Sequence, residues 1–109
     1  MTRTITNYQP IHHFGVQCGY LQTIKTTGFK AVEIEYHLDE EYRGQGLMSN
    51  YLPLYLEELD AKGFKNITAH VKEDNYASKS LLKKNKFFKF NQIRDVEIFI
   101  RTNLINQKI

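Results

Sequence analysis

The sequence predicts a mixed α/β (α+β) domain in which two main helices pack on one sheet. Three observations predict this class. Residues 29–38 alternate apolar and polar side chains, which is typical of a half-buried strand. Residues 47–59 place apolar side chains three and four positions apart, which is typical of an amphipathic helix. The order strand, strand, helix, strand, helix, strand, strand then requires at least one crossover helix and a mixed sheet.

The first part of the chain predicts a hairpin. Residues 1–12 are polar and form either a strand or an N-terminal arm. Residues 13–24 are rich in β-branched and aromatic side chains and predict a strand. The segment 25–28 is a turn signal that ends in a glycine. We therefore expect 13–24 and 29–38 to pair as an antiparallel hairpin.

Two helices are predicted. The first covers residues 46–62, and Gly63 is the glycine that commonly follows the end of a helix. Pro53 lies inside this pattern, so the helix is expected either to kink near its second turn or to begin later. The second helix is expected over 76–85, with the segment 74–75 as its candidate cap.

Three further strands complete the predicted sheet. They are short runs rich in β-branched or alternating residues, at 66–71, 87–90 and 94–101. The polar tail at 104–109 is expected to fray. The 109 residues fit one domain, which we place at 1–109.

The composition favours a folded cytoplasmic protein. Seven Tyr and seven Phe argue against disorder, and the formal net charge of +3 allows anionic ligands. Cys18 is the only cysteine, so no intramolecular disulfide can form, which suits a reducing compartment. No apolar run reaches the about 20 residues of a membrane span. The histidines lack partners at metal-ligand spacing, so no metal site is expected.

The densest basic stretch runs from Lys79 to Lys89 and contains five lysines. A solvated helix face is the favoured interpretation. Binding of nucleic acid is the alternative, and nucleic acid is an unlikely partner because no run of like charges reaches five.

The segment with the clearest chemistry is a glycine-containing loop between a predicted strand and a predicted helix. Gly44 and Gly46 let backbone amides approach a ligand without a Cβ atom in the way. The helix start behind them leaves amides unpaired and favours a phosphate. A P-loop is excluded because Leu47 and Met48 follow Gly46, and a dinucleotide fingerprint is excluded because Ser49 replaces its third glycine.

From residue 13 to residue 101 the chain resembles the GNAT superfamily of N-acetyltransferases, and within it the RimJ/RimL-like branch that acetylates ribosomal-protein N-termini. The loop pattern of the family, Arg/Gln-x-x-Gly-x-Gly/Ala, is matched by Arg43-Gly44-Gln45-Gly46-Leu47-Met48. A second motif, the Asn-x-x-Ser helix with its closing Gly-Phe, is matched by Asn75-Tyr76-Ala77-Ser78, Leu81-Leu82 and Phe87. The two motifs occur in the expected order and separation.

The resemblance implies a truncated GNAT-like acyl-CoA N-acyltransferase fold with a mostly antiparallel sheet, lacking the usual N-terminal strand and helices. It implies acetyl-CoA as the cofactor, with its diphosphate on the loop amides. The pantetheine arm is implied to pair with the edge of the strand that splays from its parallel neighbour. The implied cofactor-binding residues are His37, Leu38, Arg43, Gly44, Gln45, Gly46, Leu47, Met48, Asn75 and Ser78.

The catalytic candidates are Glu33 and Ser78. Direct attack by an amine needs a base with a pKa near 7, and Glu33 is the first candidate, followed by Glu35 and His37. Ser78 is the candidate acid for the leaving thiolate, because Leu82 stands where many family members carry a tyrosine.

A departure from the family pattern concerns the backbone. Lys86 replaces the closing glycine of the second motif, and Asn85 is expected to take the left-handed conformation instead.

The expected function is transfer of an acetyl group from acetyl-CoA to a primary amine, which is a protein N-terminus, a lysine or a small amine. A non-catalytic CoA-binding or regulatory module of the same fold is the alternative. A homodimer is possible, because an exposed sheet edge invites pairing.

Overall fold

A computed structural model describes residues 2–28 and 30–102 and contains six strands, two α-helices and one short 3₁₀ helix over those residues. The strands are β1 Arg3–His13, β2 Val16–Thr26, β3 Val32–Leu38, β4 Asn66–Lys72, β5 Phe88–Ile93 and β6 Val96–Thr102. The helices are α1 Leu47–Ala61 and α2 Tyr76–Lys84, and the 3₁₀ helix is Glu40–Tyr42. The predicted fold class, a mixed α/β domain, is confirmed.

The strands form one sheet in the order β1-β2-β3-β4-β6-β5. All neighbours in this order are antiparallel except β3 and β4, which run parallel and are joined through α1. A parallel pair requires such a crossover, because the chain must return to the same end of the sheet. The sheet is therefore mostly antiparallel, with its one parallel pair at the centre.

The first hairpin joins β1 to β2, so residues 3–12 form a strand and not an arm. Its turn contains Phe14 and Gly15, which both have positive φ angles, 50° and 79°. The prediction that a strand begins at residue 13 is therefore wrong, since β2 begins at Val16. The error has a physical reason: Phe-Gly lacks the Asn or Asp that usually marks a tight hairpin turn.

The second hairpin, β2 with β3, is antiparallel as predicted. The predicted strand begins at residue 29, but Phe29 lies outside the described residues and β3 begins at Val32. The period-two pattern holds within β3: Val32 and Ile34 are buried, whereas Glu35 and His37 are exposed. The sheet therefore has one face toward the core and a second, which we call the open face.

Both helices pack on the core face of the sheet. One hydrophobic cluster contains residues of α1, of α2 and of the five strands β1 to β4 and β6: it includes Leu52, Leu59, Leu82, Ile11, Leu21, Val32, Ile67 and Phe99. The Tyr55 hydroxyl of α1 also reaches Thr23 of β2 at 2.6 Å in the buried interior. The core thus lies between the sheet and a single layer of helices.

Helix α1 begins at Leu47 and continues through Pro53. A later start of the helix is therefore excluded, and the helix lacks the one backbone hydrogen bond that proline cannot donate. Gly63 follows the helix with φ 91°, as expected for a glycine at this place.

Two ion pairs tie the helices to β6. Arg101 donates two hydrogen bonds to the Asp60 carboxylate of α1, at 2.9 and 2.8 Å. Lys79 of α2 donates to Glu97 at 3.0 Å, and both side chains are largely buried. Such pairs fix the position of a helix more than they raise stability, because burial of charge costs free energy.

Two backbone positions correct the predictions for the last third of the chain. Arg94 has φ 55° and lies in the turn before β6, so the strand predicted from residue 94 begins at Val96. Lys86 takes the left-handed conformation with φ 70°, whereas Asn85 has φ −100°. The expectation that Asn85 would take this conformation is wrong. The tail at 104–109 lies outside the described residues.

No helix among residues 2–28 and 30–102 combines the length and the apolar character needed to cross a membrane.

Candidate functional site

The site begins where β3 and β4 separate. These parallel strands pair only at Val32 with Ile67 and at Glu33 with Thr68. Beyond Glu33, β3 continues to Leu38, and no strand among the described residues pairs with it on that edge. Strand backbone groups that lack a partner strand need another partner when they are covered. The gap therefore offers main-chain donors and acceptors to an extended ligand that carries amides.

The loop after β3 presents a row of backbone amides. Gly44 and Gly46 have φ angles of 78° and 79°, a left-handed conformation that glycine adopts without steric cost. Gly46 is the N-cap of α1 and supplies no side-chain cap. Within the described part of the chain, the amides from Gly44 to Ser49 have no hydrogen-bond acceptor. They lie at the positive end of the α1 dipole, an arrangement that favours an anionic ligand.

Two side chains brace this loop. Arg43 donates from Nε to the Leu38 carbonyl at 2.8 Å, which ties the loop to the end of β3. Gln45 donates from Nε2 to the Glu41 carbonyl at 3.4 Å. The Gln45 side chain therefore folds back on the loop, and the backbone of this residue is what remains available to a ligand.

A cleft of about 290 Å³ opens in front of these amides and along the gap. It is lined by eight of the predicted cofactor residues: Leu38, Arg43, Gly44, Gly46, Leu47, Met48, Asn75 and Ser78. The structure thus brings the two sequence motifs to one place. Two predicted cofactor residues, His37 and Gln45, do not line the cleft.

The second motif lies at the start of α2. Asn75 is the N-cap, and its Oδ1 accepts a hydrogen bond from the Ser78 amide at 3.2 Å. This cap satisfies one amide of the first turn and holds Ser78 at the wall of the cleft. Leu82 is fully buried in the core, so it contributes nothing polar to the site.

Tyr36 is a site residue that the sequence reasoning missed. It lines the cleft from β3, and its hydroxyl lies 2.5 Å from Ser78 Oγ. Burial raises the pKa of Tyr36 above its usual 10.0, and the hydrogen bond with Ser78 partly offsets that rise. A signal for this residue exists in the sequence, because the alternation of β3 places Tyr36 on the same face as Val32 and Ile34.

Glu33 lies on the open face, on the other side of the sheet from Ser78. Its carboxylate accepts a hydrogen bond from Arg3 of β1 at 3.1 Å, and His70 Nδ1 lies 3.7 Å from its second oxygen. Glu33 lines a groove of about 360 Å³ whose other walls are mostly apolar. Those walls are Ile24, Thr26, Ala31, Thr68, His70, Phe90 and Ile100.

His37 also points to the open face. Its Nε2 lies 3.0 Å from Asp39 Oδ1, and its ring is 5.8 Å from the ring of Tyr20. The carbonyl oxygen of His37 points toward Gly19 of β2, so neither the side chain nor the carbonyl of His37 faces the cleft. Glu33, which lines the groove on the open face, is also the last residue of β3 that pairs with β4.

Comparison with known proteins agrees with this architecture. A family model described as an acetyltransferase (GNAT) domain matches residues 9–87. No curated protein sequence matches the chain.

Several solved structures resemble most of the chain. An N-acetyltransferase from Staphylococcus aureus Mu50 is 20% identical with a TM-score of 0.74, over 84% of this chain and 64% of that one. A ribosomal-protein-S5-alanine acetyltransferase from Vibrio fischeri is 21% identical with a TM-score of 0.71, over 86% and 58%. RimL, a ribosomal α-N-protein acetyltransferase, in complex with coenzyme A is 26% identical with a TM-score of 0.72, over 79% and 55%. The chain spans less than two thirds of the length of each of these three structures.

Proposed function

Because the chain belongs to the GNAT acetyltransferase domain family, we propose that it transfers an acetyl group from acetyl-CoA to a primary amine. The observation that carries this proposal is the row of amides from Gly44 to Ser49, which have no acceptor within the described residues and open onto the cleft. A diphosphate has the charge and the oxygen atoms that such amides bind.

The proposed cofactor contacts follow from the geometry. The diphosphate binds the amides of residues 43–48, and Gly44 and Gly46 leave room for its oxygens. The amides of the pantetheine arm bind the unpaired edge of β3 through the backbone of Leu38, whereas the carbonyl of His37, the other residue predicted for this contact, points to β2. Asn75 and Ser78 form the opposite wall. The residues present therefore fit coenzyme A in two respects: the free loop amides suit its diphosphate, and the unpaired edge of β3 suits the amides of its pantetheine arm.

The proposed chemistry uses one residue on each face of the sheet. Acetyl-CoA supplies an acyl group activated as a thioester. Glu33 accepts the proton that the attacking amine loses as its nitrogen forms the new bond to the carbonyl carbon. Ser78 donates a hydrogen bond to the sulfur, which keeps the electron pair of the broken carbon–sulfur bond. The amine reaches the gap from the groove on the open face, where Glu33 lies.

We propose a protein N-terminus as the first acceptor to test, with lysine and small amines next. Two of the similar structures are ribosomal-protein acetyltransferases, which supports this order and a place in the RimJ/RimL-like branch. A cytoplasmic location and a homodimer through a sheet edge, β1 or β5, belong to the same proposal. The edge position of these two strands is what supports the dimer.

The alternative is a CoA-binding or regulatory module that does not catalyse transfer. The contact between Arg3 and Glu33 favours it, because a guanidinium occupies the carboxylate that the amine would need. Nucleic-acid binding finds less support. Lys79 is bound to Glu97 at 3.0 Å and Lys89 lies 3.9 Å from the same carboxylate, so these two charges are partly compensated within the protein.

The experiment has two parts. Calorimetric titration measures binding of coenzyme A, and release of the free thiol from acetyl-CoA is followed with a panel of peptides, lysine and small amines. The enzyme binds coenzyme A and releases the thiol only when an amine is present. A module binds without turnover, and absence of binding contradicts both proposals.

Variants of the carboxylates assign the base. Replacement of Glu33 by Gln should lower kcat by about 10²-fold, because general-base catalysis contributes at least that much. Replacement of Glu35 by Gln should have little effect on kcat. Glu35 lies two residues after Glu33, the last residue of β3 that pairs with β4, and its carboxylate accepts a hydrogen bond from Gln22. The opposite result would assign the base to Glu35. The exposed Glu57 of α1, changed to Gln, is the matched control.

A further inference from the structure

Tyr36 and Ser78 join β3 to α2 through their hydroxyl groups, 2.5 Å apart, at the wall of the cleft. Oxygen atoms at this distance share a well-formed hydrogen bond. The Ser78 backbone is held independently, because its amide donates to Asn75. Ser78 is therefore held at its backbone by Asn75 and at its side chain by Tyr36.

We propose that Tyr36 is a positioning residue: it donates its hydrogen to Ser78 Oγ and so directs the Ser78 hydrogen at the sulfur of bound coenzyme A. This inference rests on the proposed function, since it requires coenzyme A in the cleft. It assigns to the pair, Tyr36 and Ser78, the task of stabilising negative charge on the sulfur as the thioester breaks.

The direction of the hydrogen bond follows from the acidity of the two groups. A phenol is a stronger acid than an aliphatic alcohol and is thus the better donor. Within the described residues, Ser78 is the one hydrogen-bond partner of the Tyr36 hydroxyl, so its hydrogen has no competing acceptor there. Burial raises the pKa of Tyr36, which keeps the phenol protonated and able to donate at neutral pH.

The consequence concerns the sulfur. Because the Ser78 oxygen accepts a hydrogen bond from Tyr36, the Ser78 O–H is polarised. The hydrogen bond that Ser78 donates to the sulfur is therefore stronger than it would be without Tyr36. No proton needs to cross to the sulfur during transfer. The electron pair of the broken carbon–sulfur bond stays on the sulfur as a thiolate, which takes a proton from water after release. The thiol of cysteine has a pKa of about 8.5, and the alkyl thiol of coenzyme A is no more acidic, so the released group is mostly protonated at neutral pH.

The first test uses binding alone. If the pair stabilises the thiolate, the thiol of bound coenzyme A has a lower pKa than the free thiol. The affinity then rises with pH from the pKa of the bound thiol up to the pKa of the free thiol, because the bound form ionises first. Desulfo-coenzyme A, which has no sulfur, shows no such rise. For Tyr36→Phe, we expect the factor by which the affinity increases with pH to be about fivefold smaller, in line with the loss of one net hydrogen bond.

The second test uses turnover and a matched control. Tyr55 shares the features of Tyr36: its hydroxyl lies 2.6 Å from Thr23 and burial raises its pKa, but it lies outside the cleft. Tyr36→Phe should lower kcat about fivefold and leave the KM for acetyl-CoA unchanged, whereas Tyr55→Phe should alter neither. Added to Ser78→Ala, Tyr36→Phe should have no further effect, because it acts through the serine.

The outcomes separate the two proposals. If coenzyme A binds and Tyr36→Phe leaves the pH dependence of its affinity unchanged, the role of Tyr36 is contradicted and the proposed function stands. That role is also contradicted if the effects of Tyr36→Phe and Ser78→Ala on kcat multiply. If coenzyme A binds with the expected pH dependence but no amine supports turnover, the pair is supported and catalysis is contradicted. If coenzyme A does not bind, both proposals fail.

Discussion

A Cβ atom built on Gly19 of β2 would lie 2.2 Å from the carbonyl oxygen of His37 of β3. No real side chain can occupy that position without moving the backbone. The close approach occurs opposite Leu38, where β3 ends and the glycine loop begins. The glycine in β2 therefore sets how closely the two strands lie at the entrance to the cleft.

Replacement of Gly19 by Ala should push β3 away from β2 at His37. We expect a loss of about 1–3 kcal/mol in the free energy of unfolding, as for other cases of overpacking, measured by urea denaturation. The affinity for coenzyme A should fall as well, because the displaced segment leads into the loop. In the control, Gly15→Asn changes an exposed turn glycine whose added Cβ would have no neighbour within 4 Å among residues 2–28 and 30–102, and asparagine tolerates its positive φ. Equal losses in both variants would contradict this explanation.

The glycines at the two ends of α1 give a second prediction. Gly46 and Gly63 have φ angles of 79° and 91°, and a Cβ atom on either would meet no atom of the described residues within 4 Å. Changing either to Ala should therefore cost a similar about 1–2 kcal/mol of stability, from backbone strain alone. Only Gly46→Ala should also weaken coenzyme A binding, by about tenfold or more for a lost or displaced amide contact. Titration calorimetry of both variants checks this, and an unchanged affinity in Gly46→Ala would remove the loop from the binding site.

The sequence predicted the parts of the site that depend on local pattern. The alternation of β3 and the glycines before α1 are short-range signals, since each follows from the backbone conformation of a few neighbouring residues. The cap at Asn75 belongs to the same class.

The parts that sequence reasoning missed depend on tertiary contacts. Tyr36 and Ser78 are 42 residues apart, and only the packing of α2 on β3 brings their hydroxyls together. The turn at Phe14 was missed because its residue types are unusual for its conformation. Glu33 was predicted as a catalytic candidate, but its position on the opposite face from Ser78 needed the strand register.

Lys86 offers a stabilising substitution. It has φ 70°, a conformation that costs a residue with a side chain about 1–2 kcal/mol more than glycine. Replacement of Lys86 by Gly should therefore raise the free energy of unfolding, by about 0.5–1 kcal/mol once the greater freedom of the unfolded chain is counted. Lys83→Gly, inside α2, should lower stability by about 1 kcal/mol. A Lys86→Gly variant that is less stable than the parent would show that its side chain contributes more than its backbone costs.

The two buried tyrosines predict a dependence of stability on alkaline pH. Burial raises the pKa of Tyr36 and of Tyr55 above 10.0 in the folded protein, and each hydroxyl is hydrogen-bonded, to Ser78 and Thr23. The folded state thus retains these protons where the unfolded state releases them. The contribution of both groups is complete below about pH 10 and is lost as the pH rises through the folded values. The free energy of unfolding, measured in urea between about pH 8 and about pH 11, should fall more steeply with pH for the parent than for the double variant that carries Tyr36→Phe and Tyr55→Phe. Tyr76→Phe, at an exposed hydroxyl on α2, should keep the parental slope, and an equal slope in all three proteins would show that the buried phenols do not govern the alkaline limit.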